Sequence, residues 1–205
     1  MEFIVLSIGY LQSNTIIAYD TNTRDSIIID PSNKIDKIIK EVNKKSLNVK
    51  HVLYTHGHFD HIDPSGELQR VYNCSASLHP DDFELYYKVN DQRKMFGYSQ
   101  LKLKSIAKVE SHSKDNMISF GSIKGKIIHT PGHSKGSCCF LFGDTLASGD
   151  TLFRNGVGRT DLPGGSSSEL KTSLNYLFHN LPLKTRVIPG HGGETTIEKE
   201  IDRDL

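Results

Sequence analysis

Three imidazoles and one carboxylate fall within six residues, in the run His56-Gly-His-Phe-Asp-His61. Side chains of these types, this close together, have few structural uses. Imidazole nitrogens and carboxylate oxygens are the usual ligands of a catalytic divalent ion, which takes three protein ligands and keeps a position open for water. His56 and His58 flank Gly57, and a glycine there lets the backbone turn so that both rings face one point. Asp60 and His61 lie beyond Phe59 and reach a second point close by. The cluster therefore supplies two ligands to each of two metals, and each metal lacks a third.

Downstream residues can complete the set. His133 lies in Thr130-Pro-Gly-His-Ser134 and His191 in Pro189-Gly-His-Gly192, so a Pro-Gly-His turn occurs twice. Asp150, in Ser148-Gly-Asp-Thr151, offers a carboxylate whose two oxygens can bridge two cations. The other histidines (His51, His79, His112, His129 and His179) read as ordinary core or loop residues.

Each of these ligands follows a segment that reads as a strand. Phe3–Ser7, Thr15–Tyr19 and Ser26–Ile29 are β-branched or apolar runs divided by turn residues, which predicts antiparallel strands. Ser32 or Asn33 is placed to cap a helix carrying Ile35, Ile38, Ile39 and Val42 on one face. Val49–Tyr54 reads as a strand running straight into the histidine cluster. Pro64 suits the first turn of a helix reaching about Val71. Ser75–His79 reads as a strand, and Pro80-Asp-Asp82 as a helix start. Asn90 to Lys104 reads as a solvated loop; the alternative is a lid bringing Arg93, Lys94 or Tyr98 to a substrate. Further strands are expected at Met117–Phe120, Ile123–His129, Ser137–Phe142, Thr145–Ser148 and Arg186–Ile188. Ser166 to Glu169 has capping-box spacing before an apolar face of Leu170, Leu174, Leu177, Phe178 and Leu181. The halves are similar, each ending in a strand and then a histidine. Two sheets covered by helices, an α/β arrangement in four layers over residues 1–205, satisfies this order.

Composition narrows the partners. The formal net charge of +1 gives no electrostatic case for nucleic acid or an anionic membrane. Three cysteines without CxxC spacing are no disulfide framework, and adjacent Cys138 and Cys139 read as buried residues on opposite strand faces. The first residues lack a basic region and a long apolar run, and no stretch approaches the ~18 apolar residues of a membrane span. These features fit a reducing cytoplasm and a small-molecule substrate.

With these residues in hand, the chain resembles the metallo-β-lactamase superfamily. Thr55-His-Gly-His-Phe-Asp-His61 is similar to its HxHxDH motif, and Gly149-Asp-Thr-Leu-Phe153 and Gly158-Arg-Thr-Asp161 resemble its glyoxalase II-like branch. The resemblance implies an αββα sandwich with two divalent metals, zinc being the first expectation and iron or manganese the alternatives. It implies that His56, His58 and His133 hold one metal, that Asp60, His61 and His191 hold the other, and that Asp150 bridges. Asp30, in Ile29-Asp-Pro31, looks like the aspartate that orients a metal-bound histidine. Lactamases of the superfamily commonly carry cysteine or serine where Asp150 stands, which disfavours antibiotic hydrolysis. Only Gly192 to Leu205 follow the last histidine, so the chain is expected to be similar to the compact, single-domain hydrolases of the branch.

The resemblance implies hydrolysis of S-2-hydroxyacylglutathione, such as S-lactoylglutathione, or a related thioester by a metal-activated hydroxide. Asp60 and Asp150 are the expected catalytic carboxylates, with Asp60 orienting the hydroxide, and Arg159 is the candidate contact for a substrate carboxylate. The runner-up is a persulfide dioxygenase binding one iron through His58 or His56 with His133 and Asp150. Phosphodiester hydrolysis and a non-catalytic metal-binding module are weaker alternatives.

Overall fold

The computed structural model describes residues 1–62, 66–100, 109–112 and 116–201. Its first sheet contains β1 (Glu2–Ile8), β2 (Ser13–Tyr19), β3 (Asp25–Ile29), β4 (Asn48–Leu53), β5 (Ser75–Leu78) and β6 (Glu110–Ser111), side by side in chain order. The first three pair antiparallel, and β3 through β6 pair parallel. In the second sheet, β7 (Met117–Phe120), β8 (Ile123–His129), β9 (Cys138–Phe142) and β10 (Thr145–Gly149) follow one another antiparallel. A small ribbon, β11 (Leu152–Phe153) with β12 (Gly156–Val157), comes next; β13 (Arg186–Pro189) then lies parallel beside β10, and β14 (Thr195–Thr196) ends the sheet.

Three apolar layers hold this arrangement. β2 and β3 are buried at nearly every position, and the consecutive apolar residues Ile16–Tyr19 and Ile27–Ile29 require both faces to be covered. Ile16, Ala18, Ile27 and Ile29 face the second sheet, packing with Ile118, Phe140, Phe142 and Ile188. The alternate residues Ile17, Tyr19 and Ile28 face helix α1 (Ile35–Lys44), whose Ile38 and Val42 are buried against them. On the outer face of the second sheet, Cys139, Leu146 and Val187 pack against Leu170, Leu174 and Leu177 of α5 (Ser167–Asn180). Cys138 and Cys139 thus lie in different layers, as adjacent strand residues must. The result is helix, sheet, sheet, helix.

Three short helices, α2 (Glu67–Tyr72), α3 (Phe83–Tyr87) and α4 (Val89–Met95), flank the first sheet, and α6 (Ile197–Glu200) follows β14. Ser166 caps α5 by accepting from the Glu169 backbone N–H at 3.3 Å, as the sequence predicts. The cap expected at Ser32 or Asn33 is not made: α1 begins after Lys34 without a side-chain cap, and the Ser32 N–H instead donates to Thr15 Oγ1 at 3.1 Å. Ser32 is thus tied by its backbone to β2, through Thr15, rather than capping the helix ahead. The helix expected from Pro64 starts at Glu67 among the described residues, and Pro64 itself lies outside them. Within the segment read as a solvated loop, residues through Met95 are helical and Arg93 is buried. The rest of that segment from residue 101 lies outside the described residues. No helix among those described is long and apolar enough to cross a membrane.

Candidate metal centre

β3 and β4 run in one direction in the first sheet, and β8, β10 and β13 share one direction in the second. Asp30 follows β3, the cluster at 56–61 follows β4, and His133, Asp150 and His191 follow β8, β10 and β13. The carboxyl ends of five strands thus deliver every expected ligand to one edge of the sandwich.

Three histidines converge first. The ligating atoms of His56, His58 and His133 lie within 4.8 Å of one another, and all three residues are buried. His133 Nδ1 donates to the Arg159 carbonyl at 2.7 Å, leaving the Nε2 lone pair facing His58 Nδ1 at 2.8 Å. Thr55 Oγ1 donates to Asp30 Oδ2 at 2.6 Å and so is free to accept from His56 Nδ1 at 2.9 Å. His56 Nε2 is then a lone pair pointed into the group, buried and without a hydrogen-bond partner.

Asp60, His61 and His191 form a second group of the same tightness. His61 Nδ1 meets Asp30 Oδ2 at 3.1 Å, which leaves Nε2 toward His191 Nε2 at 3.0 Å, Asp60 Oδ2 at 3.3 Å and Asp150 Oδ1 at 3.4 Å. Asp150 stands between the groups, with Oδ2 3.6 Å from both His133 Nε2 and His191 Nε2. Its Oδ1 is buried with no hydrogen-bond partner.

The electrostatics call for positive charge at this point. Burial holds His56 well below the usual imidazole range, and burial with His133 beside it brings His58 down to about 3, so both present neutral nitrogens. For His61 burial acts the same way, but Asp60, Asp150 and Asp30 outweigh it and raise the pKa well above the usual range. Burial opposes the ionised form of Asp60, yet His61 and His191 hold its carboxyl well below the ordinary value. Lone pairs and carboxylates converge on two points, and orphaned acceptors at His56 and Asp150 face the same space. That donor set fits two divalent cations.

Residues without ligand chemistry fix these positions. Asp30 takes a left-handed backbone conformation, φ 49°, which is uncommon for a residue with a side chain. The turn sends its carboxylate back to the Thr55 N–H at 2.7 Å, and through Thr55 and His61 it sets two imidazole tautomers. Asp82 is fully buried: its carboxylate accepts from the Gly57 N–H at 2.9 Å, Ser134 Oγ at 2.6 Å and the Gly136 N–H at 2.7 Å. It therefore straps the His56–His58 turn to the loop carrying His133. Gln92, on α4, donates to the Gly57 and Leu85 carbonyls and accepts from the Phe59 N–H. Asn14 donates to the carbonyls of Pro189, Gly190 and Gly192 around His191, and Ser13 Oγ donates to Asp60 Oδ2 at 3.0 Å.

Two glycines act through space rather than dihedral freedom. Gly57 has no positive φ, which corrects the expectation of an unusual turn. A β-carbon there would come within 2.9 Å of the Asp82 carbonyl. One at Gly190 would sit 2.1 Å from Asp150 Oδ1.

A cavity of about 340 Å³ opens onto the ligands, bordered by His58, Asp60, His133, Asp150 and His191. Arg159 reaches its wall, but its guanidinium makes two 2.7 Å hydrogen bonds to the Asp161 carboxylate. Arg93 lies buried under Tyr10 and Tyr98 rather than in the cavity; Gln92 and Phe96 are the lining residues from that segment. The five histidines given no role lie outside both groups. His79, Asp81 and His129 form a separate, more exposed cluster whose ligand atoms also lie within 4.8 Å of one another, with the two imidazole rings stacked 4.1 Å apart.

Residues 8–191 match the family model of the metallo-beta-lactamase superfamily. The chain belongs to that superfamily. Among superfamily members it is 32% identical over 210 residues to the probable metallo-hydrolase YqgX of Bacillus subtilis, covering all of this chain and 96% of that protein. It is 28% identical over 204 residues to hydroxyacylglutathione hydrolase GloC of Haemophilus influenzae, covering 98% and 95%. Among solved structures it is similar to the BLEG-1 B3 metallo-beta-lactamase (TM-score 0.88, 28% identity, covering 99% and 98%). It is also similar to TTHA1623 in a di-iron-bound form (TM-score 0.86, 33% identity, 97% of each chain). Superfamily membership and the paired ligand groups together support a metal-dependent hydrolase.

Proposed function

We propose that this superfamily member is a binuclear thioester hydrolase, similar to hydroxyacylglutathione hydrolases, acting on S-lactoylglutathione or a related thioester. The observation that carries the reading is the position of Asp150 between two three-ligand groups. His56, His58 and His133 would hold one metal, Asp60, His61 and His191 the other, with Asp150 shared. The similarity to GloC, a protein named for this activity, supports the thioester; the similarity to a di-iron protein keeps iron beside zinc.

Bound there, the metals would supply an ionised water near neutral pH, down from a pKa of about 15.7, and an electrophile for the carbonyl. The chain's own residues do the rest. Ser13 fixes Asp60, whose carboxylate borders the cavity and orients the attacking oxygen. Attack forms a carbon–oxygen bond and breaks the carbon–sulfur bond, and the proton released passes to a carboxylate. A thiol of pKa about 8.5 leaves as thiolate, so no strong general acid is needed.

The test loads the protein with zinc, iron or manganese, counts bound metal and follows thiol release from S-lactoylglutathione, with a chromogenic β-lactam in parallel. Two metals per chain and metal-dependent thiol release are expected. A single iron with persulfide-dependent oxygen uptake would assign the dioxygenase chemistry instead, and β-lactam cleavage without thiol release would refute the thioester.

A further inference from the structure

The cavity wall away from the ligands is apolar. Leu11, Phe59, Phe96, Phe153, Val157 and Leu162 form it. Of its remaining polar members, Gln92 gives both amide N–H groups to backbone carbonyls, and Arg159 gives two of its five guanidinium N–H groups to Asp161. Among the described residues, the six apolar side chains of this wall offer a polar substituent no donor; the N–H groups that Arg159 does not give to Asp161 stand beside them. Leu11 and Phe96 are also exposed at the surface, 42% and 37%, so the apolar lining extends outward.

A second cavity, about 370 Å³, shares His58, Gln92, Phe96 and Leu162 with the first and so adjoins it. Its charges are Asp81, Asp82, Glu84 and Asp91 against Lys88 and Lys135, four acidic side chains to two basic ones. The Lys88–Glu84 pair, 2.6 Å apart, cancels one charge of each sign and leaves Asp81, Asp91 and the buried Asp82 against Lys135. This chamber opposes a leaving group with net negative charge. Glutathione, which carries one more carboxylate than ammonium, meets repulsion there.

We infer that the substrate is a thioester of an apolar acyl group on an uncharged or cationic thiol, with the acyl chain in the inner cavity and the thiol portion in the outer one. This rests on the thioester reading and narrows it. Burying a hydroxyl against that wall without a partner is costly, so a lactoyl group is a poorer occupant than an alkanoyl one.

The experiment compares acyl groups and thiols separately on the metal-loaded protein. Acetyl, butyryl and hexanoyl esters of N-acetylcysteamine should show kcat/KM rising about fourfold per methylene, the ratio that ~0.8 kcal/mol per buried methylene gives. At low salt, butyryl-N-acetylcysteamine should be cleaved at least about tenfold faster than butyryl-glutathione, and salt should narrow the gap. Leu11→Asp, on an exposed hairpin turn where folding is not at stake, should flatten the acyl series. In a second arm, calorimetry without turnover follows binding of S-methyl, S-butyl and S-hexyl thioethers of N-acetylcysteamine, which should tighten with chain length. A flat or falling series in either arm, or a preference for S-lactoylglutathione over its butyryl analogue, overturns the inference. Failure to release thiol from any thioester defeats the parent reading alone, and the calorimetric arm then still decides whether the cavity takes an apolar chain.

Discussion

Asp82 is the residue on which the two ligand loops meet. Removing it leaves the Gly57 and Gly136 N–H groups and the Ser134 hydroxyl without their acceptor in a buried place, and each such loss costs about 1–3 kcal/mol. Asp82→Ala should lower unfolding stability by at least ~3 kcal/mol in urea, and should weaken metal retention about tenfold against a competing chelator. An unchanged metal affinity would mean that the strap supports the fold and not the ligands. The candidate ligands stood out in the chain because few side chains bind a divalent ion, and the fold brings them together in two groups. Asp82, Asn14, Ser13 and Gln92 did not stand out. They act by hydrogen bonding to backbone groups or to a ligand far away in sequence, and no local pattern marks such a partner. Asp82 read only as part of a helix start, and Asn14 lies just before the strand expected at Thr15–Tyr19. Asp30 was legible through the superfamily resemblance, but its second task, setting His56 through Thr55, needed the three-dimensional geometry.

Among the elements, β4 and β5 carry a titration of their own. His51 Nε2 lies 3.0 Å from Ser77 Oγ, which His112 Nδ1 also approaches at 3.2 Å. Burial pushes His51 down to about 4 and His112 to about 3. An unfolded imidazole takes up its proton near pH 6.5, so below that value the unfolded chain binds protons that the folded one refuses. Stability from the neutral rings is therefore complete above about pH 6.5 and is lost as pH falls through about 4 and then about 3. Urea midpoints should drop over this range, and His51→Gln, which can keep the bond to Ser77, should show a shallower drop; parallel curves would assign the acid sensitivity elsewhere. The long strands and α5 were predictable from apolar runs and the Ser166 cap. Two-residue strands such as β11, β12 and β14 were not, since ladders that short carry no periodicity. Helix α4 was hidden because its anchoring residues, Gln92 and Arg93, are polar. Arg93 is buried by stacking under Tyr10 and Tyr98 and by donating to the Ser99 carbonyl at 2.7 Å, which hydropathy does not register.

For the molecule as a whole, the four-layer order followed from strands and helices arranged in two similar halves. How the sheets register against one another did not, because that depends on a shared core of residues far apart in the chain, such as Ile29 and Ile188. Each proposed metal draws ligands from both sheets: two from the loop after β4 and at least one from the loops after β8 and β13. Metal at a hundred times its dissociation constant should therefore add about 2.7 kcal/mol per site to the folded state, read as a rise in urea midpoint that a chelator reverses. His191→Ala should forfeit one site's share of that rise; loss of the entire rise would mean that the sites fill only as a pair. The division of ligands also makes the cations a form of glue. Were the polypeptide cut after His112 and its pieces produced separately, neither would own a complete set of donors. Their reunion would be driven in part by the ions, and withdrawing the ions would loosen it.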